Sequence, residues 1–271
     1  MAPAGAVWRE NQSIEGTVAF RRRSLSAPCE RGPADPARID HAPHEAADRS
    51  ARRECPSLPP RGRRGGRVVA FDREARVIET AKARALAAGY RQIEFVVASD
   101  QAFPERPAFD AAIGRYVLHH QPDPVTTIRR AARAVRRGGV VAFHEPAGHV
   151  SAHILPAVNL YVELEQCLSS VFNAMLPHRD VGGRLIACFE EAGLPTPHLI
   201  WESIAGGHAS PLWRLLAMTY QSMLPQIERL RMVPADGGDP DTLADRLAAA
   251  AAALRAQIVS KPQSCGWAVR S

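Results

Sequence analysis

Between residues 66 and 146, short apolar runs alternate with amphipathic stretches, and this alternation limits the possible folds more than any other feature of the chain. Residues 67–71 (RVVAF) are a β-branched run with Gly65-Gly66 before it and Asp72 after it, the pattern of a buried strand. Ala75, Ile78, Ala81, Ala85 and Leu86 then recur at helical spacing, and Gly89 supplies a stop. Residues 93–98 (IEFVVA) predict a second strand that ends at Ser99-Asp100. Residues 109–118 predict a third, running into a loop at His119-His120. Pro122, Asp123 and Pro124 start a helix with Val125, Ile128, Ala132 and Val135 on one face, closed by Gly138-Gly139. Residues 140–143 (VVAF) predict a fourth strand, followed by His144, Glu145 and Pro146. Strands and helices alternating at this spacing imply right-handed crossovers, and so an α/β fold with a Rossmann-like, mostly parallel sheet and flanking helices. Farther on, helices are expected over residues 154–176, 181–192, 212–230 and 242–259, with strands over 198–204 and 266–269.

The first 64 residues have a different character. They are rich in Pro, Arg, His and Ser and carry no sustained period, apart from residues 13–20, where Ile14, Val18 and Phe20 suit a short strand. This region reads as a disordered or aberrant arm (1–64) before the domain proper (65–271), whose segments near 154–176 and 212–259 form a helical cover. The charge follows the same division. Residues 1–66 hold twelve Arg, no Lys and eight acidic residues, and so supply four of the six net positive charges. No helix carries a sustained basic stripe, which argues against a nucleic-acid partner. No run of eighteen apolar residues and no secretory leader is visible, so a cytoplasmic location without membrane partners is expected. The five cysteines are scattered with no CxxC pair, which argues against a disulfide framework or a metal site; Cys167 and Cys188 suit helix packing. The oligomeric state is not legible.

In an open parallel sheet, ligands bind beyond the carboxyl ends of the strands. Asp72 stands there after the first readable strand, and Asp100 after the second. Arg115, Tyr116, His119 and His120 follow the third, and His144 and Glu145 the fourth. A carboxylate at the Asp72 position has two oxygens at the spacing of a ribose diol, yet Asp is equally at home capping a helix. Asp100 suits an adenine amino group or an Asx turn. His119 and His120 suit a general base or an ordinary loop pair.

Several motifs resemble class I S-adenosylmethionine-dependent methyltransferases of the small-molecule kind. Residues 66–72 (GRVVAFD) resemble the second strand of that family with its terminal acid, and residues 95–104 (FVVASDQAFP) its third strand and turn. Residues 109–120 (FDAAIGRYVLHH) resemble the fourth strand, residues 135–139 (VRRGG) the turn before the fifth, and residues 183–194 a later helix. The resemblance implies S-adenosyl-L-methionine as cofactor, held by Asp72 at the ribose, by Ser99, Asp100 and Gln101 at adenine, and by Arg115 at the methionine end. It also implies a small-molecule methyl acceptor facing His119, His120 and His144 as candidate catalytic groups, with Tyr116 and Glu145 beside them.

One part of the family pattern is not found. The first strand and its glycine-rich turn should precede Asp72 by about twenty residues, where this chain reads RSARRECPSLPP. Glycines there let backbone N–H groups approach a ligand closely. The segment upstream of residue 64 therefore reads as missing that strand or as translated in a shifted frame, with an incomplete sheet as the consequence. Two other readings remain open on these residues: a catalytically silent methyltransferase-like protein, and an NAD(P)-dependent Rossmann oxidoreductase.

Overall fold

The computed structural model describes residues 16–22, 66–100, 103–234 and 237–271, with the backbone alone for residues 16–22. Seven strands form the main sheet: β1 (Gly16–Arg22), β2 (Gly66–Asp72), β3 (Ile93–Val97), β4 (Phe109–Arg115), β5 (Val135–Pro146), β7 (His198–Glu202) and β10 (Gln263–Val269). Their order across the sheet is β3-β2-β1-β4-β5-β10-β7. β2–β3 and β4–β5 pair parallel, whereas β10 runs antiparallel to both β5 and β7. A small second sheet holds β6 (His153–Leu155), β8 (Ala205–Gly206) and β9 (Gln257–Val259).

The middle of the main sheet differs from expectation. The place between β2 and β4 is filled by β1, which belongs to the stretch read above as a disordered or aberrant arm. β1 runs antiparallel to both neighbours, with Thr17 opposite Phe71 and Gly114. Two inner strand edges left bare would expose rows of unpaired N–H and C=O groups, and pairing with β1 satisfies them. The rest of the arm lies outside the described residues.

Helices cover the sheet unequally. α1 (Ala75–Ala87) packs Ile78, Ala81 and Ala85 inward, beside β2 and β3. α2 (Pro124–Ala134) and α4 (Leu185–Glu191) lie against the other face, where Ile128, Ala131, Val141, Phe143, Leu185 and Phe189 form one core. α2 starts where the sequence placed it. Asp123 Oδ1 accepts from Thr126 N at 3.0 Å, and this N-cap holds the Asp123 carboxyl below its usual pKa, chiefly through the Thr126 hydroxyl. α3 (Asn159–Met175), α5 (Leu212–Arg229) and α6 (Pro240–Ala253) form the cover around a second core that includes Leu164, Trp213, Tyr220, Leu243 and Leu247. Cys167 and Cys188 are buried in α3 and α4, and burial raises both thiol pKa values.

Three element boundaries move. α2 ends at Ala134, and the next strand begins at once at Val135, because Gly138 with φ of 72° lets the extended chain turn while Arg270 and Gly139 exchange a backbone bond of 2.9 Å. The helix expected from residue 154 starts at Asn159, since Pro156 prevents helix at the residue before it and 153–155 join the small sheet. The helix expected over residues 242–259 stops at Ala253, where Arg255 takes a left-handed turn (φ 49°) and residues 257–259 pair with β6 and β8.

Candidate active site

Strand-tip residues meet the cover in one cleft of about 1530 Å³. Its sheet side is lined by Asp72, Ser99, Asp100, Arg115, Tyr116, His119 and His120 among others, and its cover side by Phe172, Met175, Leu215, Met218 and Met223. Asp72 and Asp100 thus share one opening. Gln101 lies outside the described residues.

Each strand-tip carboxylate also has a local role. Asp72 Oδ1 accepts from Glu74 N at 2.8 Å, which turns the chain from β2 toward α1. Asp100 Oδ2 accepts from Thr127 Oγ1 at 2.9 Å and from Arg130 at 2.7 Å, both on α2, and its side chain is only 10 % exposed. Neither side chain is simply a cap or an Asx turn: Glu74 is the N-cap of α1, Asp100 is bound from α2, and both residues border the cleft. A carboxylate oxygen accepts more than one hydrogen bond, so a local bond does not exhaust it.

Beyond β4 the backbone is under strain. Tyr116 has φ of 53°, a left-handed conformation that costs a non-glycine residue about 1–2 kcal/mol. It is held by its N–H, which donates to His144 O at 2.9 Å, and by its hydroxyl, which donates to Gln263 at 2.5 Å. Arg115 stacks its guanidinium 4.5 Å above the Tyr116 ring. Arg115 Nε is buried and has no hydrogen-bond partner among the described residues, an uncompensated donor in the wall of the cleft.

The 3₁₀ turn Leu118–His120 is organised by Glu145. Glu145 is fully buried, and its Oε1 accepts from both Val117 N and Leu118 N at 2.9 Å. Its other oxygen, Oε2, lies 2.7 Å from His119 Nδ1. A buried carboxylate needs such donors to offset lost hydration. The pairing keeps the proton of neutral His119 on Nδ1 and leaves Nε2 as a lone-pair acceptor. The His119 and His120 rings lie 4.0 Å apart, and both line the cleft.

Two residues expected to face an acceptor do not line the cleft. Glu145 points into the core and acts on His119, because alternation along β5 puts it on the buried face with Val141 and Phe143. His144 points to the opposite face of β5 and is not part of the cleft wall. Desolvation, aided by the Arg115 charge, lowers its pKa, so the neutral ring is favoured there.

One wall residue, and two residues behind the wall, had no motif to mark them. Lys261 pairs with Glu165 at 2.5 Å and donates to Ser169 at 2.9 Å. Its signal was compositional, as one of only two lysines in the chain. Thr127 and Arg130, the partners of Asp100, carry no comparable signal. Among the described residues no cluster of His, Cys, Asp or Glu is placed to hold a metal ion, and no helix is long and apolar enough to cross a membrane.

Residues 53–143 match the family model described as a methyltransferase domain, so the match begins about a dozen residues upstream of Gly66. A protein named ubiquinone biosynthesis O-methyltransferase from Paracidovorax citrulli is 33% identical over 98 residues, covering 35% of this chain and 41% of its own. A protein of the same name from Alkalilimnicola ehrlichii is 34% identical over 85 residues, covering 30% of this chain and 33% of its own. The chain thus spans 41% and 33% of the length of these two curated relatives. Among solved structures, the YcgJ protein of Bacillus subtilis aligns over 75% of this chain and 82% of its own at 16% identity, with a TM-score of 0.44. Haemonchus contortus phosphoethanolamine N-methyltransferase 2, solved with S-adenosylhomocysteine, aligns over 74% of this chain and 42% of its own at 13% identity, with a TM-score of 0.38.

Proposed function

We propose, from the match of residues 53–143 to a methyltransferase-domain model, that this chain is a class I S-adenosylmethionine-dependent methyltransferase acting on an oxygen of a small hydroxyl-bearing acceptor. The observation that carries the proposal is the convergence of Asp72, Asp100, Arg115 and the Glu145-held His119 on one cleft. The names of the two curated relatives support oxygen as the site of methylation.

The residues present fit the cofactor. Arg115 lines the cleft, and its Nε has no hydrogen-bond partner among the described residues, so its guanidinium suits a methionine carboxylate. Asp72 suits the ribose hydroxyls, and Asp100 and Ser99 suit adenine. S-adenosylmethionine, when bound, supplies an electrophilic methyl group on a sulfonium. The work of the chain is then alignment and proton removal. His119 Nε2 takes the acceptor's hydroxyl proton while the oxygen forms its bond to the methyl carbon. The cofactor, held by Asp72, Asp100 and Arg115, would supply the methyl group and take up the electron pair of its carbon–sulfur bond. Glu145 accepts the Nδ1–H throughout and stabilises the imidazolium. His120 packs against His119 and orients it. The apolar side chains Phe172, Met175 and Met218 exclude water from the acceptor side.

A second reading has its own observation. β1 runs opposite to β2 and β4, so its carboxyl end lies at the edge of the sheet away from the cleft. This geometry favours a silent protein, since among the described residues β1 brings no strand-to-helix glycine turn to the cleft. Incubation of the full chain with methyl-labelled S-adenosylmethionine and a panel of phenols and catechols separates the two. Label transferred to an acceptor, and reduced in His119→Gln, supports methylation. No transfer to any acceptor supports the silent form.

A further inference from the structure

β7, one of the two edge strands of the main sheet, has the sequence His198-Leu-Ile-Trp-Glu202, and all five residues are exposed. Leu199, Ile200 and Trp201 expose 43%, 52% and 52% of their surface, and Ile204 and Val269 at the same margin expose 56% and 52%. One side of β7 pairs with β10, and among the described residues nothing hydrogen-bonds to its other side. Sheet edges of solitary proteins are blunted by Lys, Pro, bulges or covering segments. β7 contains neither Lys nor Pro, its pairing with β10 has no register shift, and its centre is three apolar residues in a row.

The charge pattern identifies the occupant. His198 and Glu202 stand two residues to either side of Ile200. Side chains at 198, 200 and 202 share one face, and those at 199 and 201 share the other. Antiparallel pairing with β7 of a second copy, on a two-fold axis through Ile200, sets His198 against Glu202 of the second copy at both ends. It also sets Leu199 against Trp201, and Ile200 against itself. Parallel pairing would set His198 against His198 and Glu202 against Glu202. His198 is already held flat at this margin by stacking on Trp267, with ring centroids 5.5 Å apart and planes 26° apart. We propose that β7 is a self-complementary edge through which two copies of this chain join their sheets in an isologous dimer. The strand is short, so the dimer belongs to the weak, micromolar class. The inference does not depend on methyl transfer.

Sedimentation velocity of the full chain over a micromolar concentration series tests it, with circular dichroism as the check on folding. The wild type is expected to pass from monomer to dimer. Ile200→Lys is expected to weaken dimerisation at least about tenfold, as fits an apolar pair replaced by two facing charges. His198→Glu, which faces Glu against Glu, is expected to weaken it too, and the exchange His198→Glu with Glu202→His to restore it. If Ile200→Lys does not fold, the cysteine pair decides: Ile200→Cys is expected to form a 200–200 disulfide between copies under oxidation, and Leu199→Cys no 199–199 disulfide. A wild-type chain that stays monomeric, a folded Ile200→Lys that dimerises like wild type, or equal cross-linking at 199 and 200 overturns the proposal.

Discussion

The two sheet-side walls of the cleft hold their acidic residues in opposite ways. At the tips of β2 and β3, Asp72 and Asp100 keep surface on the cleft while each braces a turn or helix nearby. At the tips of β4 and β5 the carboxylate is withdrawn completely, and Glu145 reaches the cleft only through His119. A binding wall needs polar groups in reach of a ligand. A proton-transfer wall needs one group whose tautomer and position are fixed, and burial of its partner provides that. The same fold edge thus supports two kinds of carboxylate, one presented and one hidden.

The contrast predicts different penalties on the two sides. Removal of the hidden carboxylate should have the largest effect. Glu145→Ala orphans two buried N–H groups and releases His119, so it is expected to destabilise the fold by about 3 kcal/mol and to abolish transfer, read by thermal melting and by methylation assay. Glu145→Gln, which keeps an acceptor, should recover most of the stability but little of the activity. Equal losses for Ala and Gln would erase the distinction between support and proton transfer. Next in size is His119→Gln, expected to lower kcat about 100-fold with little change in melting temperature or in cofactor affinity. On the presented side, Asp72→Ala should weaken S-adenosylmethionine about tenfold, the loss of one or two hydrogen bonds to a charged group, and leave stability nearly unchanged.

The smallest effect concerns His144, which belongs to neither wall. Its pKa is lowered in the folded chain by desolvation and by Arg115, so the unfolded chain takes up the proton first as the pH drops. Stability is therefore complete above the ordinary histidine pKa of about 6.5 and declines as pH falls from there toward the folded value. His144→Phe should flatten this slope in melts compared at neutral and mildly acidic pH, and leave the remaining acid sensitivity in place.

The presented wall was legible in the sequence and the hidden wall only in part, for a physical reason. Asp72 and Asp100 end apolar runs, so periodicity alone puts them at strand tips. Glu145 also ends a run, but its direction depends on the phase of β5. That strand begins at Val135 and places Glu145 on the face of Val141 and Phe143, which the short run 140–143 did not reveal. The bond between Glu145 and His119 joins positions 26 residues apart, one on β5 and one in the 3₁₀ turn after β4, and no local pattern encodes it. Arg130 found Asp100 in the same way, across the packing of α2. The middle strand shows the reverse case. Ile14, Val18 and Phe20 marked a short strand around residues 13–20, yet its partners and its antiparallel direction follow from the two edges it closes rather than from its own residues.

The central claim is that these strand tips cradle an adenosine-bearing cofactor although the middle strand runs backward. Calorimetric titration of the full chain with S-adenosylhomocysteine tests it most directly, since binding is read without any acceptor. Saturation at one site with micromolar affinity, weakened in both Asp72→Ala and Arg115→Ala, is the predicted result. The absence of binding heat across a range of temperatures, or affinity untouched by both substitutions, would contradict it.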